Sequence, residues 1–203
     1  MSNHNFQKHI PDLLKLCQDV GQIQLDGQKN LNINLKSDNT PLTNIDIRSS
    51  ELIVSYLSRT FIGDTIISEE SDVTTNKKTS YWLVDPIDGT KNYIKGGEQF
   101  CICISYIHNS YPAFGIIYIP SSKEFYYASS GKGAFFIKED MHKVKITNKS
   151  QIDNNIFVST VIRDSVVKLL NNNFKHSKLI YMSSAIKFVR IAEGKGHFSV
   201  RLG

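Results

Sequence analysis

The chain has 203 residues, with 24 Lys and Arg against 19 Asp and Glu, a net charge of +5, 40% hydrophobic and 21% charged side chains. This is ordinary globular usage for one large domain or two small ones, which excludes wholesale disorder. No apolar run approaches the roughly 20 residues of a membrane helix; the opening MSNHNFQKHIPD lacks a secretory layout, and the scattered basic residues give no nucleic-acid-binding face.

The 3.6-residue period of Leu13, Leu14, Cys17, Val20 and Gln24 predicts a helix over 12–25. A polar stretch from Gly27 to Asn39 ends at Pro41-Leu42-Thr43, and a second helix starts near Thr43, carrying Ile47, Leu52, Ile53, Tyr56 and Leu57. Asp46 falls in its first turn, where the helix dipole favours a carboxylate. From Thr65 the pattern is that of strands: 65–68, 81–84, 100–107, 114–119, 125–128 and 134–137. The strand over 100–107 is apolar on both faces and is expected to be central, covered on two sides. Its Cys101 and Cys103 share one face and read as small packing groups, spaced too tightly for a zinc pair. Three cysteines make no disulfide framework, so a reducing cytoplasm is the default compartment.

Beyond about residue 145, strands at 156–159, 178–181 and 198–202 alternate with helices at 163–170 and 183–193. The expected fold is therefore an α+β domain over 1–142, two helices on a mainly antiparallel sheet, followed by an α/β unit over 143–203.

The strongest chemical signal is Asp85-Pro-Ile-Asp-Gly-Thr90, read as a stiff turn leaving the strand over 81–84. Such a turn can aim two carboxylates and the Ile87 carbonyl at one point, a hard oxygen set that suits Mg²⁺. Gly89 permits close backbone approach, and a helical turn from Thr90 offers N–H groups to an anion. Asp, Pro, Gly and Thr are also favoured in plain turns. A second acidic pair, Glu69-Glu70, follows the strand over 65–68. If the two strands lie side by side in parallel, their carboxylates converge, and convergence demands divalent cations or protonation.

Lys36-Ser-Asp-Asn-Thr-Pro-Leu-Thr-Asn-Ile-Asp46, Ser68-Glu-Glu-Ser71 and Trp82-Leu-Val-Asp-Pro-Ile-Asp-Gly-Thr-Lys-Asn-Tyr93 together resemble the inositol monophosphatase superfamily of lithium-sensitive, Mg²⁺-dependent phosphomonoesterases. The stretches 88–95 and 183–194 most resemble its bacterial 3′(2′),5′-bisphosphate nucleotidase branch, which removes the 3′-phosphate of adenosine 3′,5′-bisphosphate in sulfur metabolism. The resemblance implies a layered αβαβα fold and two or three Mg²⁺ held by Glu69, Asp85, the Ile87 carbonyl and Asp88. It implies that Thr90 and Asp46 orient and help deprotonate the attacking water, with Glu70 close by. Substrate contacts fall to Glu69, Ile87, Asp88, Gly89 and Thr90. Lys187 could meet a second phosphate, or be a solvated helical lysine. The implied partner is a small phosphorylated nucleotide, with no nucleic acid and no transmembrane segment. The implied location is cytoplasmic, or peripheral at the cytoplasmic face of the inner membrane. An inositol-phosphate or sugar phosphatase and a non-catalytic remnant that only binds ligand are the alternatives.

The family continues with a Trp-Asp-x-Ala-Ala-Gly segment whose Asp completes the second metal site. The sequence reaches Gly203 without it. The expectation is an incomplete second domain, an impaired second cation and low activity.

Overall fold

The computed structural model describes residues 4–70, 79–138, 143–147 and 152–200. Helix α1 (Ile10–Gly27) begins two residues earlier than the periodicity predicts, because Pro11 is well tolerated in a first turn whose N–H groups have no intrahelical partner. Its buried stripe includes Leu13, Leu14, Cys17, Val20 and Gln24. Two short strands, β1 (Ile33–Leu35) and β2 (Pro41–Thr43), pair antiparallel across the polar stretch. Helix α2 (Asn44–Thr60) follows at once. The Thr43 hydroxyl accepts from the N–H groups of Ile45 and Asp46, and the Asp46 carboxylate accepts from the Thr43 N–H at 2.9 Å. This reciprocal cap fixes where α2 starts.

The strands β3 (Thr65–Ser68) and β4 (Ser80–Asp88) come next, then the short helix α3 (Thr90–Ile94) and the strands β5 (Cys101–His108) and β6 (Tyr111–Ile119). β7 (Glu124–Ser129), β8 (Gly133–Ile137) and β9 (Lys143–Ile146) complete a seven-stranded sheet, ordered as in the chain. Only β3 and β4 are parallel; every other pair is antiparallel. β9 carries this sheet past residue 142, the expected division between the two units. Lys143, Val144 and Lys145 are exposed, so this edge strand shows no apolar alternation to read.

The remainder alternates as expected: β10 (Asn155–Val158), α4 (Asp164–Asn173), β11 (Lys178–Tyr181), α5 (Ile186–Ala192) and β12 (Phe198–Val200). The three strands form a parallel sheet in the order β11-β10-β12. The end of the predicted last strand, 201–202, lies outside the described residues, as does Ser71 of the second acidic motif. Helix α5 is shorter than the predicted 183–193. Ser184 sits at φ 58°, a left-handed conformation that cannot lie inside an α-helix.

Leu13, Ile53 and Leu57 of the first two helices pack on Trp82, Ile102, Ile104 and Phe114 of the large sheet. On the opposite face, Cys101, Ile119, Tyr126 and Phe136 meet Ile186 and Val189 of α5. β5 is thus an internal strand with covered faces, as its composition predicted. α5 also meets β12, and α4 lays Val166 and Leu170 on Ile156 and Val158. The layers run helix pair, sheet, helix, sheet, helix. Arg190 ties α5 to the large sheet, donating to the Tyr126 hydroxyl at 2.6 Å and to Glu124 at 2.5 Å. Among the described residues no helix is long and apolar enough to cross a membrane.

Candidate metal and phosphate site

The site lies at one end of the parallel pair. Ser68 faces Val84 in the register, and the Glu69 N–H donates to the Val84 carbonyl at 2.9 Å, extending the pairing by one residue. Glu69 and Asp85 therefore lie side by side at this end of the parallel pair, which is the convergence that parallel pairing was expected to bring.

Asp85-Pro-Ile-Asp88 is not a turn leaving a strand. It is the end of β4, and the register against β5 slips there: Asp85 pairs with Cys103 and Asp88 with Cys101. Residues three apart on a regular strand point to opposite faces. The extra residue of this bulge restores a common face, so both carboxylates aim the same way. Gln24, wholly buried on α1, pins the bulge by donating to the Pro86 carbonyl at 2.8 Å.

The cluster is electrostatically tense. Burial first, then the charges of Glu69 and Asp88, push the Asp85 carboxyl up to about 8. Asp88 is also raised by burial, which outweighs the Ala185 N–H and the Lys187 charge. Glu70 is raised by burial against its ion pair with Lys36. Lys36 bridges both glutamates, 2.9 Å from Glu69 and 2.8 Å from Glu70. Burial alone would lower the Lys36 pKa, but these two bonds reverse the sign.

Beside the carboxylates, the Thr90 hydroxyl donates to the Ile87 carbonyl at 2.9 Å and stands 3.5 Å from Asp46 Oδ1. A hydroxyl has one proton to give, and the nearer carbonyl takes it. Asp46 is 1% exposed, and burial raises its carboxyl despite the cap bonds from Thr43. Gly89 adopts φ 104°, and a Cβ there would lie 2.8 Å from the Gln99 carbonyl. Gly89→Ala is accordingly expected to cost about 1–3 kcal/mol in unfolding stability, read as a lower urea midpoint at unchanged slope.

Lys187 is not a solvated lysine. It is 5% exposed on α5, where its charge lowers the pKa of Asp88. Asp88 itself accepts from the Ala185 N–H where the chain enters α5. Sequence reasoning gave no role to Lys36 or Gln24. Lys36 stands in a quoted motif, and Gln24 is a polar residue at an apolar-stripe position, a signal that it has a buried partner.

The donor set fits a hard divalent cation. Among the described residues Asp85 Oδ1 is buried with no hydrogen-bond partner, beside carboxylates that repel one another. That combination costs stability unless positive charge enters.

The inositol monophosphatase family pattern matches residues 9–203. A 3′(2′),5′-bisphosphate nucleotidase CysQ from Aggregatibacter actinomycetemcomitans is 30% identical over 202 residues, covering 96% of this chain and 75% of that protein. CysQ from Bacteroides thetaiotaomicron, a solved bacterial member of the family, is similar with a TM-score of 0.79 at 27% identity, over 98% of this chain and 81% of that one. A solved IMPase/NADP phosphatase complexed with Mg²⁺ and phosphate has a TM-score of 0.76 at 22% identity, over 94% and 72%. This chain belongs to the inositol monophosphatase family.

Proposed function

We propose that the chain is a Mg²⁺-dependent phosphomonoesterase that hydrolyses the 3′-phosphate of adenosine 3′,5′-bisphosphate to AMP and phosphate. The observation that carries this reading is the bulged β4 beside parallel β3, which gathers Glu69, Asp85 and Asp88 and leaves Asp85 Oδ1 without a hydrogen-bond partner among the described residues. The choice of substrate is supported by the relatives named as bisphosphate nucleotidases.

Glu69, Asp85, Asp88 and the Ile87 carbonyl hold Mg²⁺ in this proposal. Bound there, Mg²⁺ supplies positive charge that acidifies water and neutralises the phosphate in flight. The chain's own residues do the rest. Thr90 turns its hydroxyl from Ile87 toward Asp46, and the pair orients the attacking water and accepts its proton at Asp46. Glu70, buried beside this pair, keeps the local field negative and is balanced by Lys36. The Gly89 and Thr90 N–H groups receive the phosphate where the glycine lets backbone approach closely. Lys187 offers a charge for a second phosphate. A cytoplasmic location belongs to the same proposal and is supported by three free thiols.

The test compares phosphate release from adenosine 3′,5′-bisphosphate and from inositol 1-phosphate, with Mg²⁺ and with EDTA. The expected result is hydrolysis that needs Mg²⁺ and a kcat/KM at least about tenfold higher for the nucleotide. A preference for the inositol ester would replace the substrate assignment. Hydrolysis undiminished in EDTA would remove the metal mechanism.

A further inference from the structure

On β5, Cys101 and Cys103 share one face two residues apart and stand opposite Asp88 and Asp85 in the register. Their sulfurs are 3.8 Å apart, and Cys101 Sγ is 3.7 Å from Asp88 Oδ2. The ligand atoms of Asp88, Cys101 and Cys103 all lie within 4.8 Å of one another. With metal–sulfur bonds of about 2.3 Å and metal–oxygen bonds of about 2.0 Å, a tetrahedral zinc ion needs S···S edges of about 3.8 Å and S···O edges of about 3.5 Å. The Cys101–Cys103 and Cys101–Asp88 edges match closely, and the Cys103–Asp88 edge is no longer than 4.8 Å. Close sequence spacing argues against a zinc pair only where the chain turns; on a strand, alternate residues already face one way.

We propose that Asp88, Cys101 and Cys103 bind a thiophilic divalent cation, zinc or its spectroscopic stand-in cadmium. The two thiol protons pass to solvent as the sulfurs coordinate, and water completes the tetrahedron. Mg²⁺ does not compete for the sulfurs, because a hard cation selects oxygen. Of the three residues, Cys103 lines an apolar cavity of about 670 Å³ on this face of the sheet, together with Glu69, Asp85 and Phe188. Ser184, whose hydroxyl lies 3.5 Å from Cys101 Sγ, flanks the site. Binding through the cysteines stands on this geometry alone. That the ion draws Asp88 away from the Mg²⁺ cluster rests on the function proposed above.

The experiment titrates the metal-free, reduced full chain with cadmium and follows thiolate-to-metal charge-transfer absorption. One equivalent should produce the band. Cys101→Ser, Cys103→Ser and Asp88→Asn should each weaken binding at least about tenfold, whereas Cys17→Ala, in the core beneath α1, should not change it. The absence of a band in the unaltered protein overturns the proposal whatever the variants do. An undiminished band in folded Cys101→Ser/Cys103→Ser protein also overturns it. Mg²⁺ should raise the apparent cadmium dissociation constant. Cadmium binding that weakens in Asp88→Asn yet ignores Mg²⁺ supports the thiol site and counts against Asp88 as a magnesium ligand, so the two failures are told apart.

Discussion

Asp85→Asn is expected to abolish Mg²⁺-dependent hydrolysis, by at least about 10²-fold, while stabilising the metal-free protein by roughly 1–3 kcal/mol. The opposite signs come from one cause. Asp85 is buried among carboxylates, and one of its oxygens has no hydrogen-bond partner among the described residues, so the charge that serves a cation burdens the fold without one. Its carboxyl is raised from an ordinary 3.8 to about 8 in the folded chain. The folded state therefore binds more protons than the unfolded state between those limits, and metal-free stability falls as pH rises through that window. Asp46, Glu70 and Asp88 are raised as well and reinforce the same sign. Urea unfolding in EDTA, followed from roughly pH 5 to pH 8.5, should show a declining midpoint that saturating Mg²⁺ restores. Asp85→Asn should flatten the decline. A metal-free protein that grows more stable toward pH 8 would contradict this electrostatic picture.

Asp46→Asn and Thr90→Ala should each lower kcat by about 10²–10⁴-fold with little change in Mg²⁺ affinity. The two groups lie at the limit of hydrogen-bond distance and would act on one water. The double variant should therefore lose little more than either single one, a non-additivity measurable in a cycle. Asparagine can still accept the Thr43 N–H that caps α2, so the Asp46→Asn fold should lose at most about 1 kcal/mol. Thr90→Ser keeps the hydroxyl and should recover most of the rate. Independent, multiplying losses would separate the two roles.

What could be read in the sequence was set by pattern. The stripes of α1 and α2 and the apolar β5 gave the layers, because burial on one or two faces imposes a period. Asp85-Pro-Ile-Asp88 announced a site but not its shape: a turn and a bulge share the same residues, and only the cross-strand register distinguishes them. β9 stayed hidden because an exposed edge strand carries no such period. Lys187 read as a possible surface lysine because neither the layer over α5 nor the carboxylate it faces is local in sequence. Lys36 was missed for the same reason: its partners lie 33 and 34 positions away.

The Pro86–Ile87 irregularity makes the spacing of the two aspartates a matter of parity rather than of distance. Ironing out the bulge while keeping both intervening residues would send Asp88 through the sheet to the face covered by α1 and α2, whereas deleting one of the two would leave the aspartates two apart on a regular strand and again on one face. Mutational drift can therefore alter neighbouring side chains freely, but the shared face survives only where the length of this short stretch and the bulge change together.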